Sequence, residues 1–214
     1  MAQPPDPQTV PRGRHAPPLE VRLSVQRRRL FEAAAAVFAR VGYAEASAEA
    51  ISREAGMSKA TFYEHFANKE ECILALFDEA ATEVTRALVN APGDDARSYE
   101  DRVRGGIHAF LGILAAYPDS TQTLLVEIIG AGPRAAERRD AILDLFADGL
   151  LRDNARMAVK FGNPRFASKD DAFAIIGAIV ELVSRQLRTG VPARLADLEP
   201  VILRLITGLL VAPR

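Results

Sequence analysis

The chain holds one cysteine, Cys72, in 214 residues. A single thiol excludes an intrachain disulfide, fits a reducing cytoplasm, and is expected to pack as a small hydrophobe. Long apolar runs are missing: none reaches the roughly 18 to 20 residues that a membrane-spanning helix needs. The N-terminus is rich in proline where a signal peptide would be apolar, so the expected location is the cytoplasm, with no membrane partner. A surplus of one charge is lacking too, since the formal net charge is -1, and the whole molecule is not a nucleic-acid polyelectrolyte. The three histidines (15, 65 and 108) lie in unrelated segments, with no pair at a metal-ligand spacing with cysteine or a carboxylate. There is no phosphate-cradling glycine loop and no nucleophile elbow. No metal, cofactor or catalytic constellation is therefore expected. Alternating strand patterns and internal repeats are absent as well.

What is present is helical. With 49% hydrophobic and 26% charged residues the chain can bury a sizeable core in one or two compact domains. Residues 1–20, with prolines at 4, 5, 7, 11, 17 and 18, read as a flexible leader. From Arg12 to Arg29 six arginines (12, 14, 22, 27, 28, 29) face one acid, Glu20, a basic arm of the kind that neutralises phosphates, or else a solvated tail. From about Ser24 the apolar residues Leu30, Phe31, Ala34, Val37, Phe38 and Val41 recur at helical spacing until Gly42 ends the run.

The stretch from Ser47 to Lys69 organises the rest. Ser47 suits the N-cap of a short helix with Ile51 and Ala55 on its apolar stripe, and Gly56 suits the left-handed position that ends it. Ser58 suits the cap of a second helix, where Phe62 and Phe66, four residues apart, share the inner face. The opposite face then carries Ala60, Thr61, Tyr63 and Glu64, flanked by Lys59 and His65. Two short helices about a glycine turn form a helix-turn-helix unit, whose second helix enters the DNA major groove. Asn68 suits the cap of a further helix, with Glu71 in a capping-box position, running to about Asn90 before APGDD breaks the chain.

Here the sequence resembles a known family. The run from Arg28 to Glu79, with Gly42-Tyr43, Ile51, Ala55-Gly56, Ser58-Lys59, Thr61-Phe62-Tyr63, His65-Phe66 and Lys69-Glu70 in register, is similar to the DNA-binding region of the tetracycline-repressor (TetR) family of transcriptional regulators. The resemblance implies DNA contact by Ser47, Ser58, Lys59, Ala60, Thr61, Tyr63, His65 and Lys69. The chemistry of each agrees: Ser47 and Lys69 lie at helix N-termini, which favour phosphate; Tyr63 and His65 can donate to phosphate; Lys59 can reach backbone or a guanine edge. Glu64 would repel phosphate unless it accepts from cytosine N4 or pairs locally.

Beyond residue 95 five helical patterns follow, near 96–117, 119–130, 134–161, 169–189 and 197–211, with Asp197 as N-cap of the last and Pro200 in its first turn. The expected fold is all-α: a helix-turn-helix head (21–67), joined by helix 4 to a regulatory domain (68–214) for ligand binding and dimerisation. The 169–189 helix is apolar around most of its circumference, and the last helix nearly so, which asks for a partner on a second face. The resemblance implies a homodimer, with Ile176, Ile179, Val183, Val201, Ile202, Leu205 and Leu209 as candidate interface; a monomer with both helices central would also satisfy the pattern. Phe110, Tyr117, Glu127, Phe146, Met157 and Phe161 are candidates to line an effector pocket, although apolar members would be core in any bundle. Glu127, an acid in an apolar stripe, asks for a cationic partner. Gly105-Gly106 inside a helical pattern cost about 1 kcal/mol each relative to alanine, and close packing is the favoured reason.

The expected function is a homodimeric, ligand-responsive transcriptional repressor of a pseudo-palindromic, double-stranded operator. It is released when an apolar or amphipathic small molecule tilts helix 4 and spreads the two reading helices. A small helical enzyme and a dimeric adaptor, each with an incidental helix-turn-helix, are the competing readings.

Overall fold

The computed structural model describes residues 18–91 and 96–211. Residues 1–17 of the expected leader, with Arg12 and Arg14, and most of the APGDD break lie outside them. Nine α-helices form among the described residues: α1 Leu19–Glu45, α2 Ala48–Glu54, α3 Lys59–His65, α4 Lys69–Val89, α5 Tyr99–Ala116, α6 Pro118–Leu125, α7 Pro133–Phe161, α8 Lys169–Thr189 and α9 Glu199–Gly208. None of them is long and apolar enough to cross a membrane. The fold is all-α, apart from one two-residue antiparallel pairing of β1 (Arg165–Phe166) with β2 (Leu210–Val211).

The helix starts follow short-range capping chemistry. Ser47 Oγ accepts from the Ala50 N–H at 3.1 Å, Ser58 Oγ from Thr61 at 3.1 Å, and Asn68 Oδ1 from Glu71 at 2.9 Å. Glu71 does not complete a capping box; its carboxylate pairs with Arg134 at 2.6 Å. A reciprocal box forms at α8, between Ser168 and Asp171. Three expectations shift at the ends. α1 begins at Leu19, immediately after the proline pair, because a proline fits just ahead of a first turn. Asp197 does not cap α9: it pairs with Arg194 at 2.6 Å within a 3-10 turn, Leu195–Leu198, and Pro200 does fall in the first turn of α9. α9 ends at Gly208, as the chain leaves it to pair with β1.

Two apolar clusters hold the molecule. The first joins Leu30, Phe38, Ile51, Phe62 and Phe66 of the head and Ile73 and Phe77 of α4 to Leu124, Ile128, Ala135 and Ile142 of the following helices. The second joins α5, α7, α8 and α9 through Val103, Ile107, Met157, Ile175, Ile179, Val183, Ile202 and Ile206. Deleting a fully buried ring such as Phe38 or Phe62 costs about 3–5 kcal/mol.

That second cluster corrects the expected dimer face. Ile179 is 7% exposed, Val183 0% and Ile202 1%, so these three are spent inside the protomer, and Ile176 packs half-buried on the same core. The outward sector of α8 carries Phe173, Ala174, Gly177 and Ala178 with Glu181 and Arg185. Leu205 of α9 is half-buried and Leu209, its C-cap, is exposed, while Val201 packs half-buried on the second cluster.

Gly42 breaks α1 at φ 79°, ψ 163°, a backbone region open essentially to glycine alone, and a Cβ there would lie 3.3 Å from Glu127 Oε2. Gly42→Ala is expected to lower unfolding stability by about 1–3 kcal/mol, read by urea denaturation. A wild-type midpoint would show that the break carries no strain for a side chain.

Candidate nucleic-acid interface

The turn between α2 and α3 is built from Gly56 at φ 64° and from Met57, whose N–H reaches the Ser52 carbonyl at 2.8 Å. Phe62 of α3 and Phe66, its C-cap, are buried with ring centroids 5.5 Å apart, and Phe31 of α1 packs tilted against Phe66 at 5.5 Å. This aromatic anchor fixes the rotation of α3 and turns Lys59, Ala60, Tyr63 and Glu64 to solvent. Tyr63 is 50% exposed, its ring edge-on to Phe62 and 5.9 Å from the Lys59 ammonium. Ser47 is exposed with its O–H left to donate. Thr61 is half-buried and bonded to Ser58 Oγ at 3.0 Å, so both hydroxyls serve the start of α3.

One expected contact, Lys69, is otherwise employed, and a second, His65, is partly buried. The Lys69 ammonium donates to the carbonyls of Tyr43, Ala44 and Ala46 at 2.8, 2.9 and 3.0 Å and lies 4.5 Å above the Tyr43 ring. All three of its N–H groups are used to bind the frayed end of α1 to the start of α4, so the side chain has no donor to spare for phosphate. His65 has a buried Nε2 with no partner among the described residues. Burial, then the charge of Arg27, hold its pKa below the usual imidazole value against the opposing Glu64, so at neutral pH it is uncharged.

The basic arm divides in the same way. Arg27 lies 5.0 and 5.1 Å from the Phe31 and Phe66 rings, and Arg29 donates to the Ala55 carbonyl at 2.8 Å, closing the end of α2. These two brace the turn; Arg22 and Arg28 remain exposed. The bracing role of Arg29 lies beyond sequence periodicity, since its partner is 26 residues away. Burial pushes the Cys72 thiol up to about 12, as suits a residue that serves as a small hydrophobe.

The head is tied to the rest by more than α4. Thr123 on α6 donates to the Ala35 carbonyl on α1 at 3.0 Å, and Glu127 sits against Gly42 while accepting from Gln122 at 3.3 Å. Arg134 bridges Glu70 and Glu71, and Arg138 pairs with Asp78, joining α7 to α4. The six expected effector residues are not brought together. Phe110, Met157 and Phe161 belong to the second cluster and Phe146 to the first, Tyr117 is 56% exposed, and Glu127 lies under α1. An open groove of about 500 Å³, lined by Ala87, Arg104, Gly105, His108 and Glu199 among others, contains none of the six.

Comparison with known proteins agrees with this geometry. Residues 30–76 match the profile described as bacterial regulatory proteins, tetR family. The HTH-type transcriptional repressor SCO4008 of Streptomyces coelicolor is 31% identical over 116 residues, covering 52% of this chain and 56% of the relative, so the match spans about half the length of each. Among solved structures, the fatty acid degradation regulator FadR from Bacillus halodurans superposes with a TM-score of 0.70 at 20% identity, over 85% of this chain and 94% of that one. FadR from Bacillus subtilis in complex with stearoyl-CoA gives 0.69 at 19% identity, over 84% and 97%. PfmR from Thermus thermophilus gives 0.64 at 23% identity, over 86% and 97%. Over residues 30–76 the chain is similar to the tetR family of bacterial regulatory proteins.

Proposed function

We propose that this protein is a transcriptional repressor that binds double-stranded operator DNA as a homodimer and is released by a small-molecule effector. The observation that carries the reading is the outer face of α3, where an aromatic anchor holds Lys59, Ala60 and Tyr63 outward on a capped helix. In the major groove the Tyr63 hydroxyl donates to phosphate or its ring lies against a thymine methyl, Lys59 reaches a phosphate or a guanine edge, and Ala60 allows close approach. Ser47 donates to phosphate at the start of α2, and the exposed Arg22 and Arg28 near the start of α1 add positive charge. A repressor as relative and a stearoyl-CoA complex as structural neighbour support repression and an amphipathic effector.

The head is residues 21–67 and the regulatory half 68–214. Pairing α8 and α9 with their copies through Phe173, Gly177, Ala178, Leu205 and Leu209 gives a two-fold four-helix contact, which sets the two reading helices one turn of DNA apart. Effector and operator then oppose each other with a coupling of about 1–3 kcal/mol, carried by α4 together with the grip of α6 on α1.

Tyr63→Ala is expected to leave the melting temperature nearly unchanged and to weaken binding to the protein's own promoter by about 1–3 kcal/mol in a gel shift. A large loss of stability with unchanged affinity would remove α3 as the reading element.

A further inference from the structure

The body of the protein contains a buried cation whose donors are not used up. The Arg102 side chain on α5 is 12% exposed, and its Nη2 contacts Asp153 of α7 at 3.2 Å. Nε and Nη1 are both buried with no acceptor among the described residues. Asp153 is shared with Arg156 at 2.7 Å, so two guanidinium groups face one carboxylate. Leaving charged donors buried and unmatched is costly, and such groups in folded proteins mark positions where something else completes the shell.

A second observation lies one turn away. Asn154 Nδ2 donates to the Tyr99 hydroxyl at 3.1 Å; with the Arg102–Asp153 contact this sets α5 and α7 antiparallel along this seam. Moving one turn along each helix leads to Gly106 on α5 and Gly149 on α7. Both are half-buried, yet neither has an atom within 4 Å of where a Cβ would stand. Close packing therefore does not account for Gly106. A turn further on stand Phe110, packed on the second cluster, and Phe146, packed on the first, both half-buried. The seam thus has unmatched positive charge at one end, unfilled space in the middle and aromatic rings at the other.

We propose that this seam between α5 and α7 is the anchor of the effector and that the effector is an amphipathic anion. A carboxylate or phosphate head accepts from the free Arg102 N–H groups, and an apolar chain runs past Gly106 and Gly149 towards Phe110 and Phe146. The charge selects the head and the missing side chains make room for the tail. The proposal rests on the reading of residues 68–214 as the effector-binding half, and it names the chemistry that half selects.

Calorimetry on the full-length protein with decanoate, decyl phosphate and uncharged decanol tests it. At least one anion should bind about tenfold or more tightly than decanol, and the tighter of the two identifies the head group. Arg102→Gln, which leaves Asp153 paired with Arg156, should fold and bind anion and alcohol alike. Gly106→Leu should fold with an unchanged or higher Tm, because its site is open and leucine favours a helix, and should bind none of the three. Equal affinity of wild type for decanol and both anions, no saturable binding of either anion, or undiminished anion binding by Arg102→Gln would each overturn the site. A gel shift on the same preparations keeps the two readings apart. Loss of sequence-specific DNA binding with intact anion selectivity would remove the repressor and leave the site, and the converse would remove the site alone.

Discussion

Replacing Ile179 by glutamate should leave no folded protein, whereas Leu205→Glu should leave folded monomers. Ile179 lies 7% exposed in the protomer core between α8 and its neighbours. A carboxylate there has no cation to meet in this apolar cluster, and burying it unpaired costs several kcal/mol, a large part of the roughly 5–15 kcal/mol that holds a domain together. Leu205 is only half-buried on α9, so a charge there can reach solvent in the monomer and is fully buried only when a second copy docks. Circular dichroism melting and light scattering read the two outcomes. Operator affinity of the Leu205 variant should fall steeply, because a monomer engages one half-site. A folded Ile179→Glu dimer would contradict the assignment of α8 faces, and a wild-type dimer from Leu205→Glu would contradict the interface.

Lys69→Met should cost about 3 kcal/mol of stability, because it strands three carbonyls bound by one ammonium, with hydrogen bonds to charged groups contributing about 1.5–3 kcal/mol each and water recovering part of the loss. The slope of log affinity against log salt should stay the same, since no phosphate contact of the side chain is removed. Urea denaturation and a salt series measure the two effects independently. A slope shallower by about one with unchanged stability would return Lys69 to the phosphate backbone.

These two substitutions mark where sequence reasoning stops. Ser47, Ser58 and Asn68 are legible as caps because each acts on an N–H three residues ahead. The outward face of α3 follows from two phenylalanines four residues apart. Lys69, Arg27 and Arg29 are not legible, since each finds its partner through the tertiary fold: a lysine at a helix start looks the same whether it meets a phosphate or three carbonyls. Ile179 and Val183 are misplaced by periodicity because a helix apolar all round states that two partners exist and leaves open which sector meets which. Glu127 asks by its place in an apolar stripe for a cation, but lies instead against the break at Gly42 and accepts from the amide of Gln122.

The outer face of α3, presented twice by a dimer, should read a defined DNA sequence. Selection from a random duplex pool by the purified full-length protein, followed by sequencing, tests this most directly. The expected result is enrichment of one pseudo-palindrome whose half-sites lie about one helical turn apart, with Tyr63→Ala losing the enrichment. Recovery of unenriched sequence, with wild type and Tyr63→Ala retaining the pool equally, would contradict it.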